Sequence, residues 1–277
     1  MWEWLRPKSC AVWIAMVWAS GALYVAVTFV VARPHIPPRS LSEALRAASR
    51  ESWLVAWTQP LMLWFQFFGL RMGTGGGDVP VVLVHGYFQN RVDFLYLARR
   101  LRAAGSGPLY ACNFFWPQSL EHSSADVRAF ISRVRKETGA QRVDLLTHSS
   151  GGLFAIDIIR ESPELVRRAV LIALPGRGVP WRGPVLGRSG SQLRTTSPYQ
   201  SSRHTDSGDT PTLSIYSPDD NVVHPASTSM ITGLAAVNRE VPALGHLAVL
   251  FDPRVGDAAC EFLTAADPRW AAGSVAD

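Results

Sequence analysis

The run Val143-Asp144-Leu145-Leu146-Thr147-His148-Ser149-Ser150-Gly151-Gly152 constrains this chain more than any other stretch. Residues of strand character lead straight into a serine among small neighbours, and residues 153–160 then follow helical spacing. A strand that turns sharply into a helix forces the turn residue into a strained backbone conformation. Its side chain is lifted to the tip of the sheet, above the helix N-terminus. Strand and helix pass so closely there that the neighbours must be small, a demand that Gly151 and Gly152 meet. The next backbone N–H, that of Ser150, is placed to face an oxyanion formed by attack of Ser149. The plain alternative is a turn that merely contains serine, since Ser-Gly-Gly is common turn chemistry.

The surrounding pattern supplies a frame for such a turn. Residues 79–84 form a continuous apolar run, as in a strand buried on both faces. Strand character returns at 109–115, 142–146, 168–174, 212–216 and 236–241. Helical spacing appears at 93–104 and at 123–137, where Gly139 closes the helix. This alternation predicts an α/β protein with a doubly wound, mainly parallel sheet and its site at the strand C-terminal ends. Residues 175–211 are rich in Gly, Ser, Pro and Arg. They lack a sustained apolar stripe at helical period, so no amphipathic flap is expected there.

A serine hydroxyl is a weak nucleophile and needs a base, which in turn needs an orienting acid. In this architecture the chain order is Ser, acid, His. The histidines after Ser149 are His204, His224 and His246. His246 follows Gly245 beyond the last expected strand, where the base belongs. His204 lies in the polar insertion and His224 in the turn Asn221-Val222-Val223-His224-Pro225. Asp220 is the preferred acid. Asp219 is its rival, with capping of the turn as its other role. Asp206 and Asp209 precede the strand and read as solvated loop residues. The second oxyanion donor is expected in Val84-His85-Gly86-Tyr87, where Gly86 allows the turn and Tyr87 offers its backbone N–H. His85 precedes the nucleophile and reads as structural.

Composition bears chiefly on the N-terminus. Hydrophobic residues make up 47% of the 277 and charged residues only 18%. From Cys10 to Ala32 there is no charge. At about 1.5 Å per residue this run is long enough to cross a hydrocarbon core of about 30 Å. A cleavable signal peptide ending at Val30-Val31-Ala32 is the competing reading, but the run exceeds the roughly 7–15 apolar residues of a signal core. An N-terminal transmembrane helix is therefore expected, holding the protein in a bacterial inner membrane. Arg6 and Lys8 precede the run and Arg33, Arg39, Arg46 and Arg50 follow it, so charge asymmetry assigns no side.

The expected organisation is a membrane anchor over 1–33, a linker over 34–78 and a catalytic domain over 79–277. Within the linker, residues 41–50 read as a short amphipathic helix capped by Ser40. Residues 53–70 form an uncharged aromatic segment that could span, lie in the interface or pack on the domain. The net charge of +5 is not gathered into a basic stripe, which argues against nucleic-acid binding. Cys10, Cys112 and Cys260 have no metal-type spacing, and neither cofactor nor metal is expected.

Taken together, the runs Val82-Leu83-Val84-His85-Gly86, Glu137-Thr138-Gly139-Ala140-Gln141-Arg142-Val143-Asp144, His148-Ser149-Ser150-Gly151-Gly152, 217–223 and Gly245-His246 resemble the α/β-hydrolase superfamily. They are most similar to the small bacterial triacylglycerol lipases that lack a helical lid. The resemblance covers about 79–263. It implies Ser149 as nucleophile, Asp220 as acid, His246 as base, and the N–H groups of Tyr87 and Ser150 as oxyanion donors. Thr147 departs from the family, which has Gly or Ala there. The insertion at 175–211 and the N-terminal run also lie outside its pattern. The implied activity is a membrane-associated serine hydrolase cleaving lipid-like carboxylic esters through an acyl-enzyme, with the acyl chain near Tyr87, Phe88, Phe114, Phe115 and Trp116. An acyltransferase or thioesterase would use the same triad, and a non-enzymatic membrane protein could keep the fold.

Overall fold

The computed structural model describes residues 7–67 and 71–265. Arg6 and residues 68–70 of the aromatic segment lie outside the described residues. At the centre is a six-stranded sheet in the order β2-β1-β3-β4-β5-β6. Its strands are β1 (Val81–Val84), β2 (Leu109–Ala111), β3 (Val143–His148), β4 (Val166–Ile172), β5 (Thr212–Tyr216) and β6 (Ala236–Glu240). Every pairing between these strands is parallel. The chain runs outward from β1 to β2, then returns to lay β3 on the other side of β1. That reversal opens a crevice at the C-terminal ends of β1 and β3.

Both faces of the sheet are covered, which is why its strands are apolar without alternation. On one face Leu83, Leu146, Val170 and Ile215 pack against α3 (Leu95–Ala103) and α8 (Pro253–Thr264). On the other, Val82, Val84, Leu145 and Leu171 pack against α4 (Leu120–Thr138) and α5 (Gly151–Glu161). The helix ends follow local chemistry. The Ser119 hydroxyl accepts the His122 N–H at the start of α4, and Gly139 ends that helix in the left-handed region at φ 73°. Asp252 caps α8, with Pro253 in its first turn.

The N-terminal region differs from the sequence expectation. After α1 (Pro7–Ala32) the chain forms one long helix, α2 (Leu41–Phe67), instead of a short helix followed by a separate aromatic segment. It opens with a reciprocal cap: the Ser40 hydroxyl accepts the Glu43 N–H (3.3 Å), and the Glu43 carboxylate accepts the Ser40 N–H (2.8 Å). Pro60 removes one helical hydrogen bond, yet packing on the domain carries the helix through. The Asn90 side-chain amide donates to the Met62 carbonyl and Arg91 Nε to that of Phe65, each at 2.6 Å.

Among the described residues no helix is long and apolar enough to cross a membrane. The last turns of α1 dock on the protein instead, with Val25, Thr28 and Ala32 buried along one face. Leu23, Val27 and Val30 face outward. Residues 175–211 contain only two short helices, α6 (Gly187–Gln192) and α7 (Pro198–Ser201). They are fastened to the body by Tyr87, whose hydroxyl donates to the Leu186 carbonyl (2.8 Å) and accepts the Leu186 N–H (2.9 Å).

Candidate active site

Ser149 sits between β3 and α5 with φ 53°, a left-handed conformation that costs a non-glycine residue about 1–3 kcal/mol. The surroundings hold it there. A Cβ on Gly151 would lie 2.4 Å from the Val84 carbonyl oxygen, and one on Gly86 would lie 2.7 Å from Ser149 Cβ. Strand, turn and helix can therefore approach only through glycine. Thr147, the residue that departs from the family pattern, is fully buried in β3, and its hydroxyl reaches the Val170 carbonyl at 3.4 Å.

The turn after β1 lies against this elbow. Gly86 donates its N–H to Gln89 Oε1 (3.0 Å), which folds the loop back on itself. Among the described residues the N–H groups of Tyr87 and Ser150 donate to no protein acceptor, so both remain free for a ligand oxygen. His85 is taken up elsewhere. Its Nδ1 donates to the Gly86 carbonyl (2.9 Å), its Nε2 accepts the Phe114 N–H (3.4 Å), and burial lowers its pKa to about 4.

The structure brings Asp220 to His246: Nδ1 of the imidazole donates to the carboxylate at 2.8 Å. The other Asp220 oxygen accepts the N–H groups of Val222 (2.7 Å) and Val223 (2.8 Å), which fixes its direction. Asp219 points away. It pairs with Arg39 and accepts the Ala243 N–H at 2.5 Å. His224 stacks on His35 with ring centroids 4.9 Å apart, and His204 is exposed; neither joins the cluster.

Burial pulls the His246 pKa down, but the Asp220 carboxylate and its hydrogen bond, then Glu51 and Asp93, hold it above the ordinary imidazole value. His148, beside the serine, ties the two halves of the site together. Its Nε2 donates to the His246 carbonyl (2.9 Å), and the two rings lie 4.7 Å apart. Burial keeps the His148 pKa well below the usual imidazole range. Among the described residues the Ser149 hydroxyl itself makes no hydrogen bond. Nor does any group of three or more His, Cys, Asp or Glu converge as if to hold a metal.

Sequence reasoning missed the supports of the His246 loop. Asn221 Oδ1 accepts the His246 N–H (2.9 Å), and its amide donates to the Thr28 hydroxyl on α1 (2.7 Å). Glu51 on α2 accepts the N–H groups of Leu247 (2.5 Å) and Ala248 (2.9 Å). No local signal marks Glu51, which looks like any acid in an amphipathic helix. The aromatic residues at the mouth divide in two. Tyr87, Phe88 and Trp116 cluster, with centroids 4.8–6.3 Å apart, and Phe115 is exposed. Phe114 is instead a core residue, stacked on His85 at 4.0 Å.

Residues 78–163, which contain the β1 turn and the serine elbow, match the family model "Lipase (class 2)". A triacylglycerol lipase of Burkholderia plantarii is 30% identical over 142 residues, covering 45% of this chain and 40% of that protein. One from Pseudarthrobacter phenanthrenivorans is 32% identical over 107 residues, 36% and 34% of the two chains. The chain thus spans less than half the length of these relatives. Two solved structures share the hydrolase fold. Aspergillus fumigatus lipase B superposes with TM-score 0.60 at 19% identity, covering 73% of this chain and 58% of its own. A Paleococcus ferrophilus monoacylglycerol lipase superposes at 0.55 and 16%, covering 73% and 96%.

Proposed function

We propose that the chain is a serine hydrolase of lipid-like carboxylic esters, acting through an acyl-enzyme at a membrane. The observation that carries this reading is the hydrogen-bonded pair His246–Asp220 beside a serine held at positive φ, with two free N–H groups flanking it. In the reaction His246 takes the proton of Ser149 as Oγ attacks the ester carbonyl. The N–H groups of Tyr87 and Ser150 receive the developing oxyanion. Collapse expels the alcohol, protonated by His246, and water then repeats the sequence on the acyl-enzyme. The Ser149–His246 hydrogen bond closes when substrate orders the site, as is common for catalytic contacts that are loose without a ligand.

The similarity to triacylglycerol lipases and the aromatic mouth of Tyr87, Phe88, Phe115 and Trp116 favour an acyl chain over a small polar group. The outward apolar side chains Met16, Leu23 and Val30 of α1 and the exposed Trp53, Trp57 and Trp64 of α2 support attachment to a lipid surface. A series of p-nitrophenyl esters of increasing chain length, given to the full chain in detergent and to its Ser149→Ala variant, tests the reading. Hydrolysis should depend on Ser149 and favour the longer acyl groups. Equal hydrolysis by both proteins would end it.

A further inference from the structure

The base is carried on a loop whose backbone N–H groups are held largely by side chains, and the N-terminal helices supply or brace most of them. Ala243 donates to Asp219, which Arg39 holds from the α1–α2 connection. Leu244 donates to the Ser217 hydroxyl at 3.3 Å. His246 donates to Asn221, braced by Thr28 of α1. Leu247 and Ala248 both donate to Glu51 of α2. A Cβ on Gly245 would lie 2.6 Å from Glu51 Oε2 and 3.0 Å from Asn221 Oδ1, so the turn is wrapped around these acceptors.

Glu51 is only 2% exposed and forms no ion pair among the described residues. Burying a carboxylate away from a cation is costly, and an apolar residue would pack α2 at less expense to stability. Its two hydrogen bonds lie in the turn that begins at the base. We propose that Glu51 is a positioning residue for His246, and that α1 and α2 thereby complete the active site from outside the hydrolase sheet. The inference rests on the ester-hydrolase reading. Glu51 acts on the base in two ways. It fixes the turn, and its negative charge faces the imidazole together with Asp220 on the β5 loop and Asp93 on the turn after β1. The His148 ring lies 4.7 Å from the imidazole, and Tyr24 of α1 lies near Glu51 and Asp220. Burial raises the Glu51 pKa to about 7, against the pull of its two N–H donors.

The test compares the full-length wild type, Glu51→Gln and Ser149→Ala on one soluble p-nitrophenyl ester across pH. Glutamine keeps the shape of the side chain but loses the charge and turns an amide toward one of the two N–H groups. The expected result is a fall in kcat approaching about a hundredfold, the scale of an ångström-sized misplacement of a catalytic group. KM should be unchanged, and the acid limb of kcat/KM should move to lower pH, because a negative charge facing the imidazolium is gone. A purely structural role for Glu51 would change the yield of folded protein without moving that limb. Wild-type kcat and an unmoved limb in Glu51→Gln, while Ser149→Ala is inactive, overturn the inference and leave the hydrolase reading intact. An active Ser149→Ala overturns that reading and the inference with it. Should Glu51→Gln fail to fold by circular dichroism, Thr28→Val decides. It removes the brace on Asn221, and a several-fold fall in kcat at constant KM supports the inference, whereas unchanged kcat overturns it.

Discussion

Ser149 and His246 are held by opposite means. The serine is fixed by backbone. It lies at the tip of a central strand with φ 53°, locked between Gly86, packed on its Cβ, and Gly151, packed on the Val84 carbonyl oxygen. The histidine is fixed by side chains. Its loop leaves the edge strand β6 and hangs on acceptors that come from Asp219, Asn221 and, nearly two hundred residues earlier in sequence, Glu51. The two halves therefore fail differently. Damage near the serine shows in the fold, whereas damage around the histidine shows in catalysis first.

The largest effects are expected at the proposed reacting groups. Ser149→Ala should lower kcat by about 10⁴-fold or more, measured as ester hydrolysis, since the remaining donors cannot replace a nucleophile. Asp220→Asn should cost a comparable factor, about 10⁴, by leaving His246 in the wrong tautomer. Asp219→Asn should cost much less, because Asp219 supports the loop through Ala243 and does not touch the imidazole. The reverse ranking of the two aspartates would break the account of the base.

On the serine side the prediction concerns stability. Gly151→Ala drives a Cβ into the Val84 and His85 carbonyls, backbone that cannot move aside, and should destabilise by about 1–3 kcal/mol or more. Gly139→Ala, at φ 73° but in open space, should cost about 1 kcal/mol from its backbone conformation alone. Thermal unfolding of the two variants separates crowding from conformation. Equal losses would mean that the elbow is not closely packed.

These contrasts explain what the sequence made legible. The elbow could be read because its cause is local: a buried strand, a serine and two glycines in ten consecutive residues. The parallel sheet could be read because strands covered on both faces carry unbroken apolar runs. The order of Ser149, Asp220 and His246 was legible from the architecture, although only the 2.8 Å contact separates Asp220 from Asp219. Glu51 was not legible, because its meaning depends on where α2 docks. The continuity of α2 was hidden by Pro60 and by the change from a charged half to an aromatic one. Phe114 resembled its exposed neighbours in sequence, and only the fold shows it stacked beneath His85.

A smaller effect is expected in the pH profile. The pKa of His246 is held above the ordinary imidazole value, and only the neutral ring can accept the serine proton. Activity should therefore fall as pH drops through a value higher than about 6.5, the free imidazole pKa. An acid limb well below that value would mean that Asp220, Glu51 and Asp93 do not outweigh burial. Smallest of all should be any response to substrate aggregation. Residues 175–211 are tied down through Tyr87 and Leu186, so rates should follow simple saturation past the solubility limit of a short-chain ester. A sharp rise there would reveal a moving cover.

The most direct test of the central claim is covalent trapping with an organophosphonate ester, followed by peptide mapping. The full chain should carry a single adduct, on Ser149, and Ser149→Ala should carry none. Asp220→Asn should form the same adduct far more slowly, because the serine remains in place while its base is misdirected. Labelling at another residue, or at Ser149 with no dependence on Asp220, would contradict the account.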